Sequence, residues 1–425
     1  MESAGRNCEK SRAEVLARGR GFYKDVFMDG GIALSSRTSL PATRYMGLSM
    51  DYFASVATEK LSQRDTVRQR EIFCGSKDDT NGWLLYPDGA PRFRMIYVNG
   101  GKSRKHAVSL TEQGRDRLRE YVAAGGSYVG TCAGAYLASL SNISPKGELR
   151  NKAYYLGLWP GITRYTRLQK AYTAMRIDRR SPLMRYFDFG GDGMVDSVRH
   201  NGGCIAYSTA QHPMPKGTEL LSTYIYEDNN RVKINGRMSA WAYKANEKSG
   251  RVIMCGSHPE GVVQGERLEY MSAMMLYAMD GNPQPVIKGK LIPGAPREMN
   301  RKTEDAMPEY TRIGDRQYHH FEVDVPKHCR QMVIRLESYE GVPRFDLTLC
   351  AKRGEPAFHD NTMLKNVARG VKKRLVVDSP KAGKWFVSVF CETTVTSLIG
   401  KYGTYYRGRV AVLNGVPYKI SVEYR

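Results

Sequence analysis

The run Gly130-Thr131-Cys132-Ala133-Gly134 constrains this chain more than any other stretch. The apolar segment Ser127-Tyr128-Val129 leads into it, and the small-residue segment Ala135-Tyr136-Leu137-Ala138 leads out. A short strand that reaches a cysteine, followed at once by a small-residue helix, describes a nucleophile elbow. Side chains without bulk let the sharp strand-to-helix turn pack. A sulfur at such a turn lies over a helix N-terminus, whose partial positive charge favours the thiolate.

A second segment gives the cysteine a partner. Arg251-Val252-Ile253-Met254-Cys255 reads as a buried strand, and Gly256-Ser257-His258-Pro259-Glu260 follows its end. A thiol nucleophile needs a base, and the base needs a carboxylate to orient it. His258 and Glu260 supply both types, with Pro259 stiffening the link. Cys132 is therefore expected as nucleophile, His258 as base and then acid, and Glu260 as the holder of the imidazole tautomer. For each, a bland reading stands beside the functional one: a buried structural thiol, a backbone-bonded histidine, a solvated carboxylate. Gly100-Gly101 follows another apolar strand, so its N–H groups and that of Ala133 are candidates to meet a developing oxyanion. A plain turn explains the glycine pair equally well on the residues alone. Gly30 and Gly31, together with Asn201, Gly202 and Gly203, are candidates to rim a substrate pocket at the carboxyl ends of strands. Ordinary turns explain these nearly as well.

An elbow cysteine followed far downstream by His-x-Glu resembles a class I glutamine amidotransferase domain. The wording Gly125-Gly126-Ser127-Tyr128-Val129-Gly130-Thr131-Cys132-Ala133-Gly134-Ala135-Tyr136-Leu137-Ala138 is similar to one branch, the amidotransferase-like domain at the amino end of biotin-protein ligases. Asp29-Gly30-Gly31, Tyr97-Val98-Asn99-Gly100-Gly101 and His200-Asn201-Gly202-Gly203 fit the same branch. The resemblance covers roughly residues 20–282 and implies an oxyanion hole at the glycine pair. No biotin-ligase catalytic domain follows, so ligase activity is not implied. Neither a metal nor an organic cofactor is needed for the chemistry the triad suggests.

The surrounding pattern agrees with an α/β fold. Strand signals at residues 25–28, 71–74 and 94–98 alternate with helical spacing at 39–54 and 110–124. Residues 219–226, 239–244 and 251–255 read as further strands, and 264–279 as a helix. The expected fold is a mostly parallel, flavodoxin-like sheet flanked by helices, followed by an all-β sandwich. Residues 1–19 form an N-terminal extension, 20–282 the α/β domain, 283–312 a Pro- and Gly-punctuated linker, and 313–425 the sandwich. Strand-like stretches in the last part fall at 320–325, 331–336, 345–349, 374–377, 385–390, 407–413 and 418–424. Phe321 to Pro326, Phe345 to Leu349 and Pro380 to Val389 resemble the bacterial pre-peptidase C-terminal domain.

Composition narrows the partners. The net charge is +22, from 65 Lys+Arg against 43 Asp+Glu. The excess is spread along the chain without a basic block, which argues against nucleic acid and leaves a protein partner or an acidic surface open. No run of about 18 apolar residues occurs, so no membrane span is expected. The first twenty residues lack an apolar signal region. As written, this suggests the cytoplasm, with a secreted or periplasmic location open if the terminus is trimmed. The eight cysteines show no metal-like spacing. The expected activity is hydrolysis of a small-molecule carboxamide or peptide-like amide through a thioester. The alternative is a weakly catalytic module that binds a ligand or partner, with the β-domain mediating attachment.

Overall fold

The computed structural model describes residues 2–31, 34, 37–53, 70–77, 79–144, 146–342, 344–400 and 403–425. In chain order the strands of the first part are β1 (Lys24–Asp29), β2 (Met50–Phe53), β3 (Phe93–Val98), β4 (Ser127–Thr131), β5 (Ser139–Ile143) and β6 (Trp159–Tyr165). They continue as β7 (Ala171–Arg176), β8 (Met194–His200), β9 (Cys204–Tyr207), β10 (Glu219–Ile225), β11 (Met238–Lys244) and β12 (Arg251–Cys255). The helices are α1 (Glu2–Ala17), α2 (Pro41–Tyr45), α3 (Ser103–Ala123), α4 (Ala133–Ala138) and α5 (Gly265–Asp280).

Strands β2, β1, β3, β4 and β12 lie side by side in parallel. Beyond β12 the sheet continues antiparallel through β11, β10, β7 and β8. The parallel expectation therefore holds for the central strands, and the whole sheet is mixed. Alternation along each central strand sends side chains to two cores. Val26, Met28, Met95, Tyr97, Val129 and Ile253 face α5 and its methionines. Phe27, Ile96, Val98, Tyr128 and Met254 face α3 and α4. The result is a helix–sheet–helix sandwich whose parallel strands all end on one edge. Each fully buried Leu or Met of α5 contributes up to about 1.5–3 kcal/mol of burial, and Leu268, Met271, Met274 and Met275 are all buried.

Three local expectations differ from the structure. The helical spacing at 39–54 resolves into the short α2 and then β2, an edge strand paired to β1; residue 54 lies outside the described residues. The run at 71–74 is a helical turn, not a strand. Four apolar residues carry no period that separates the two. Residues 150–215, which look irregular in sequence, supply β6 to β9.

The remaining strands are β13 (Ile287–Lys290), β14 (Arg297–Met299), β15 (Tyr318–Val325), β16 (Gln331–Glu337), β17 (Leu347–Arg353), β18 (Lys365–Asn366) and β19 (Lys373–Asp378). Then come β20 (Gly383–Cys391), β21 (Thr396–Gly400), β22 (Gly403–Arg407) and β23 (Tyr418–Tyr424). One sheet has the order β13-β15-β20-β17-β18 and another β14-β23-β16-β19. Val323, Val387, Ile334 and Ile420 meet in the one core these two sheets enclose. The stretch expected as a linker thus contributes β13 and β14, one to each sheet. The strand expected at 407–413 is instead the end of β22 and a 3-10 turn at Val410–Asn414. The hairpin β21–β22 leaves the sandwich and docks on β2, extending the large sheet. Tyr23 and Tyr406 pack against both cores at this seam.

Candidate functional site

Cys132 occupies the turn between β4 and α4 with φ 46° and ψ −103°, a left-handed backbone that costs a non-glycine residue roughly 1–3 kcal/mol. Its neighbours make the turn feasible. A Cβ on Gly134 would stand 2.1 Å from the Val98 carbonyl oxygen, and one on Gly130 would stand 2.4 Å from the Gly134 backbone. The Cys132 N–H donates to the Cys255 carbonyl at 2.8 Å. That bond ties the elbow to the end of β12, where the chain turns into Ser257 and His258. Parallel pairing of β4 with β12 is what joins two segments so distant in sequence.

The His258 N–H donates to the Arg199 carbonyl at 2.9 Å. Its Nδ1 lies 2.9 Å from Glu260 Oε1, and Cys132 is the other neighbour that favours its charged form. Burial works against a charged imidazole here, but hydrogen bonds with Cys132 and Glu260 and the charge of Glu260 outweigh it. The pKa of His258 is raised to about 10. Glu260 is buried, and its Oε2 has no hydrogen-bond partner among the described residues. The helix after the cysteine has only six residues, so the helix dipole anticipated at the thiol is small. The positive charge beside the sulfur comes from the imidazole.

Gly100 packs directly on that imidazole: a Cβ there would lie 2.2 Å from His258 Cε1. Gly101 follows with φ +132°. The N–H groups of Gly100, Gly101 and Ala133 meet no acceptor among the described residues. Asn201 comes to the thiol by its backbone, the sulfur lying 3.8 Å from its carbonyl oxygen. Its side chain is used elsewhere, accepting from the Lys170 N–H at 3.1 Å. Gly203 passes the end of β12 so closely that a Cβ would lie 1.6 Å from the Gly256 carbonyl oxygen. The backbone of Gly202 faces Tyr136, described below. Gly30 and Gly31 sit on the same sheet edge, at the end of β1. Gly31 packs on His106 and Asn99 and donates to Asp29 Oδ1 at 3.0 Å.

Three supporting residues carry no role in the sequence reading. The Tyr136 hydroxyl, one turn after the cysteine, donates to the carbonyls of Gly203 at 2.9 Å and Gly202 at 3.2 Å, pinning the loop over the sulfur. His200 is fully buried between Thr166 Oγ1 at 2.7 Å and Ser257 Oγ at 2.8 Å. Burial and the charge of His258 lower its pKa to about 4, so it braces the His258 loop as a neutral ring. Asn99 is buried with neither end of its carboxamide hydrogen-bonded among the described residues. Its place inside Tyr97 to Gly101 was the available signal, whereas Tyr136 and His200 are recognisable only once the loops meet. Among the described residues no group of three or more His, Cys, Asp or Glu converges as a metal site, and no helix is long and apolar enough to cross a membrane.

Fold and elbow together describe an α/β domain with a cysteine at a sharp strand-to-helix turn. Residues 90–277 match the family model described as "Biotin-protein ligase, N terminal". The chain is 30% identical over 114 residues to an uncharacterized protein from Chlamydia muridarum. That match covers 26% of this chain and 43% of the relative, so the chain spans less than half of that relative's length. Among solved structures it is similar to one described as a glutamine amidotransferase, with 16% identity and a TM-score of 0.34 over 59% of this chain and 98% of that one. It is also similar to a GMP synthase candidate from Thermoplasma acidophilum, with 10% identity and a TM-score of 0.35 over 61% of this chain and 95% of that one.

Proposed function

We propose that the α/β domain is a thiol-dependent amide hydrolase of the amidotransferase-like class, with Cys132 as nucleophile, His258 as proton carrier and Glu260 as its orienting carboxylate. The observation that carries this reading is the imidazole itself. It is hydrogen-bonded to Glu260 Oε1 at 2.9 Å, and Cys132 stands with Glu260 among the neighbours that raise its pKa.

The thiolate attacks a carboxamide carbon, and the carbonyl electrons move onto oxygen. The N–H groups of Gly100, Gly101 and Ala133 meet that oxyanion. Collapse breaks the C–N bond, and the nitrogen leaves as ammonia or amine with the proton from His258. A thioester to Cys132 remains. Water then gives a proton to His258 and attacks the thioester, releasing a carboxylic acid and restoring the thiolate. Gly30, Gly31 and the Asn201 to Gly203 loop border the acyl group.

The test is alkylation by iodoacetamide at neutral pH with mass-spectrometric mapping of all eight cysteines, followed by a screen of amides for ammonia or amine release. Rapid modification of Cys132 alone, slowed at least about tenfold in His258→Ala, is expected. Sluggish modification at every cysteine would leave a binding module and no hydrolase.

A further inference from the structure

A cavity of about 500 Å³ opens where the α/β part meets the sandwich, within the size range of small-ligand sites. Arg94, near the start of β3, and Ala124, just before β4, line it. It therefore lies at the edge where these parallel strands begin, opposite the edge that carries Cys132. Phe22, Tyr86 and Met279 wall it from one part, and Tyr318, His320 and Phe358 from the other.

Three of these rings form a corner. Tyr318 and His320 lie parallel within 2°, their centroids 5.5 Å apart. Phe358 stands across both at 69°, its centroid 4.9 Å from Tyr318 and 5.1 Å from His320. Hydrogen bonds brace the corner: the Tyr318 hydroxyl meets His359 Nδ1 at 2.9 Å, and His320 Nδ1 meets Ser388 Oγ at 2.7 Å. A flat ring placed there meets one face and one edge, the two arrangements that aromatic pairs favour. Burial lowers the pKa of His320 to about 4, so its ring is uncharged at neutral pH.

The charges of the wall are balanced. Arg18 pairs with Asp280 at 2.7 Å, Arg20 with Asp360 at 3.0 Å, Arg94 with Asp25 at 3.5 Å, and Lys288 with Asp88. An anion or a cation would enter without a counter-charge of its own, which is costly in an apolar site. Two polar atoms of lining residues, the Tyr86 hydroxyl and Asn282 Oδ1, are buried with no hydrogen-bond partner among the described residues. Unmet groups of this kind suit a guest that carries a polar atom.

We propose that this cavity is a binding site for a neutral, planar aromatic molecule bearing a hydrogen-bonding group. Bound there, the molecule touches both parts of the chain and fastens one to the other, away from the thiol.

Two dyes of one skeleton test this on the full chain: N-phenyl-1-naphthylamine, which is neutral, and its 8-sulfonate, which is anionic. Both brighten on leaving water, so fluorescence titration reads their affinity. The neutral dye is expected to bind at one site per chain, at least about tenfold more tightly than the sulfonate, and to raise the melting temperature. Ala124→Trp, which fills the cavity, and Phe358→Ala, which removes one side of the corner, should each weaken it at least about tenfold. A cooperative melt of each variant without dye shows that it is folded. A neutral dye that does not bind, a sulfonate that binds as well, or an affinity that survives both substitutions overturns the site.

Discussion

At the scale of single residues, the proton affinity of His258 is set by its two neighbours. Cys132 and Glu260 both favour the imidazolium, and burial opposes it. Removing the sulfur removes one of the raising contributions. In Cys132→Ala the His258 ring is expected to titrate at lower pH than in the unaltered chain, read from its Cε1–H resonance. An unchanged midpoint would mean that the two side chains do not interact. A second test concerns Asp79, far from the thiol. Its carboxyl is buried with Oδ2 unpaired, and burial raises its pKa to about 7. The unfolded chain ionises this group near 4, so the cost to the folded state grows as pH rises from about 4 to about 7 and is complete above that. Asp79→Asn keeps the shape without the charge. It is expected to raise stability at pH 8, by at most about 4 kcal/mol, with the gain shrinking toward pH 5 in urea denaturation.

At the scale of elements, the elbow is held by contacts that tolerate no added carbon. Gly134→Ala would set a methyl against the Val98 carbonyl oxygen at 2.1 Å, where backbone on both sides resists relaxation. A loss of about 2–4 kcal/mol in chemical denaturation is expected, together with slower alkylation of Cys132. Gly100→Ala would instead press on the His258 ring, so its effect should fall on reactivity more than on stability. The elbow was legible in sequence because its chemistry and its backbone make the same demand: small residues on both sides of one cysteine. The same was true of β12 and the turn after it, where a buried run ends at His258. β2 was not legible. Leu40, Met46, Leu48, Met50 and Phe53 satisfy a helical period as well as an extended one, and pairing with β1 decides between them. His200 and Tyr136 stayed hidden for a different reason. Their partners, Thr166, Ser257, Gly202 and Gly203, are supplied by loops whose meeting no local pattern announces.

At the scale of the whole molecule, the α/β and β parts are fastened by a buried ion pair. Arg92, at the foot of β3, donates from Nε and Nη2 to the two oxygens of Asp315 at 3.0 and 2.9 Å. Its guanidinium also lies over the Tyr23 ring at 4.2 Å. Both side chains are almost wholly shielded from water. Asp315→Ala would strand a buried cation, and a loss of about 3–5 kcal/mol is expected. If the parts unfold together, a single denaturant transition moves. Two separated transitions, with only one shifted, would show that the seam does not couple them. The late strands were legible because helical spacing ends and alternation begins. The short β13 and β14 were not, since proline and glycine around them read as a connection. Nor does any local pattern foretell that β21 and β22 cross back.

That crossing has a consequence for how the chain is made. The edge of β2 is covered by Gly403, which leaves the ribosome hundreds of residues after Phe53. Throughout that interval the open strand presents unpaired amides and carbonyls, a template on which a neighbouring nascent chain can pair. The β21–β22 hairpin is therefore a guard against aggregation made long after the strand it covers, and newly made chains stay open to such pairing until it docks.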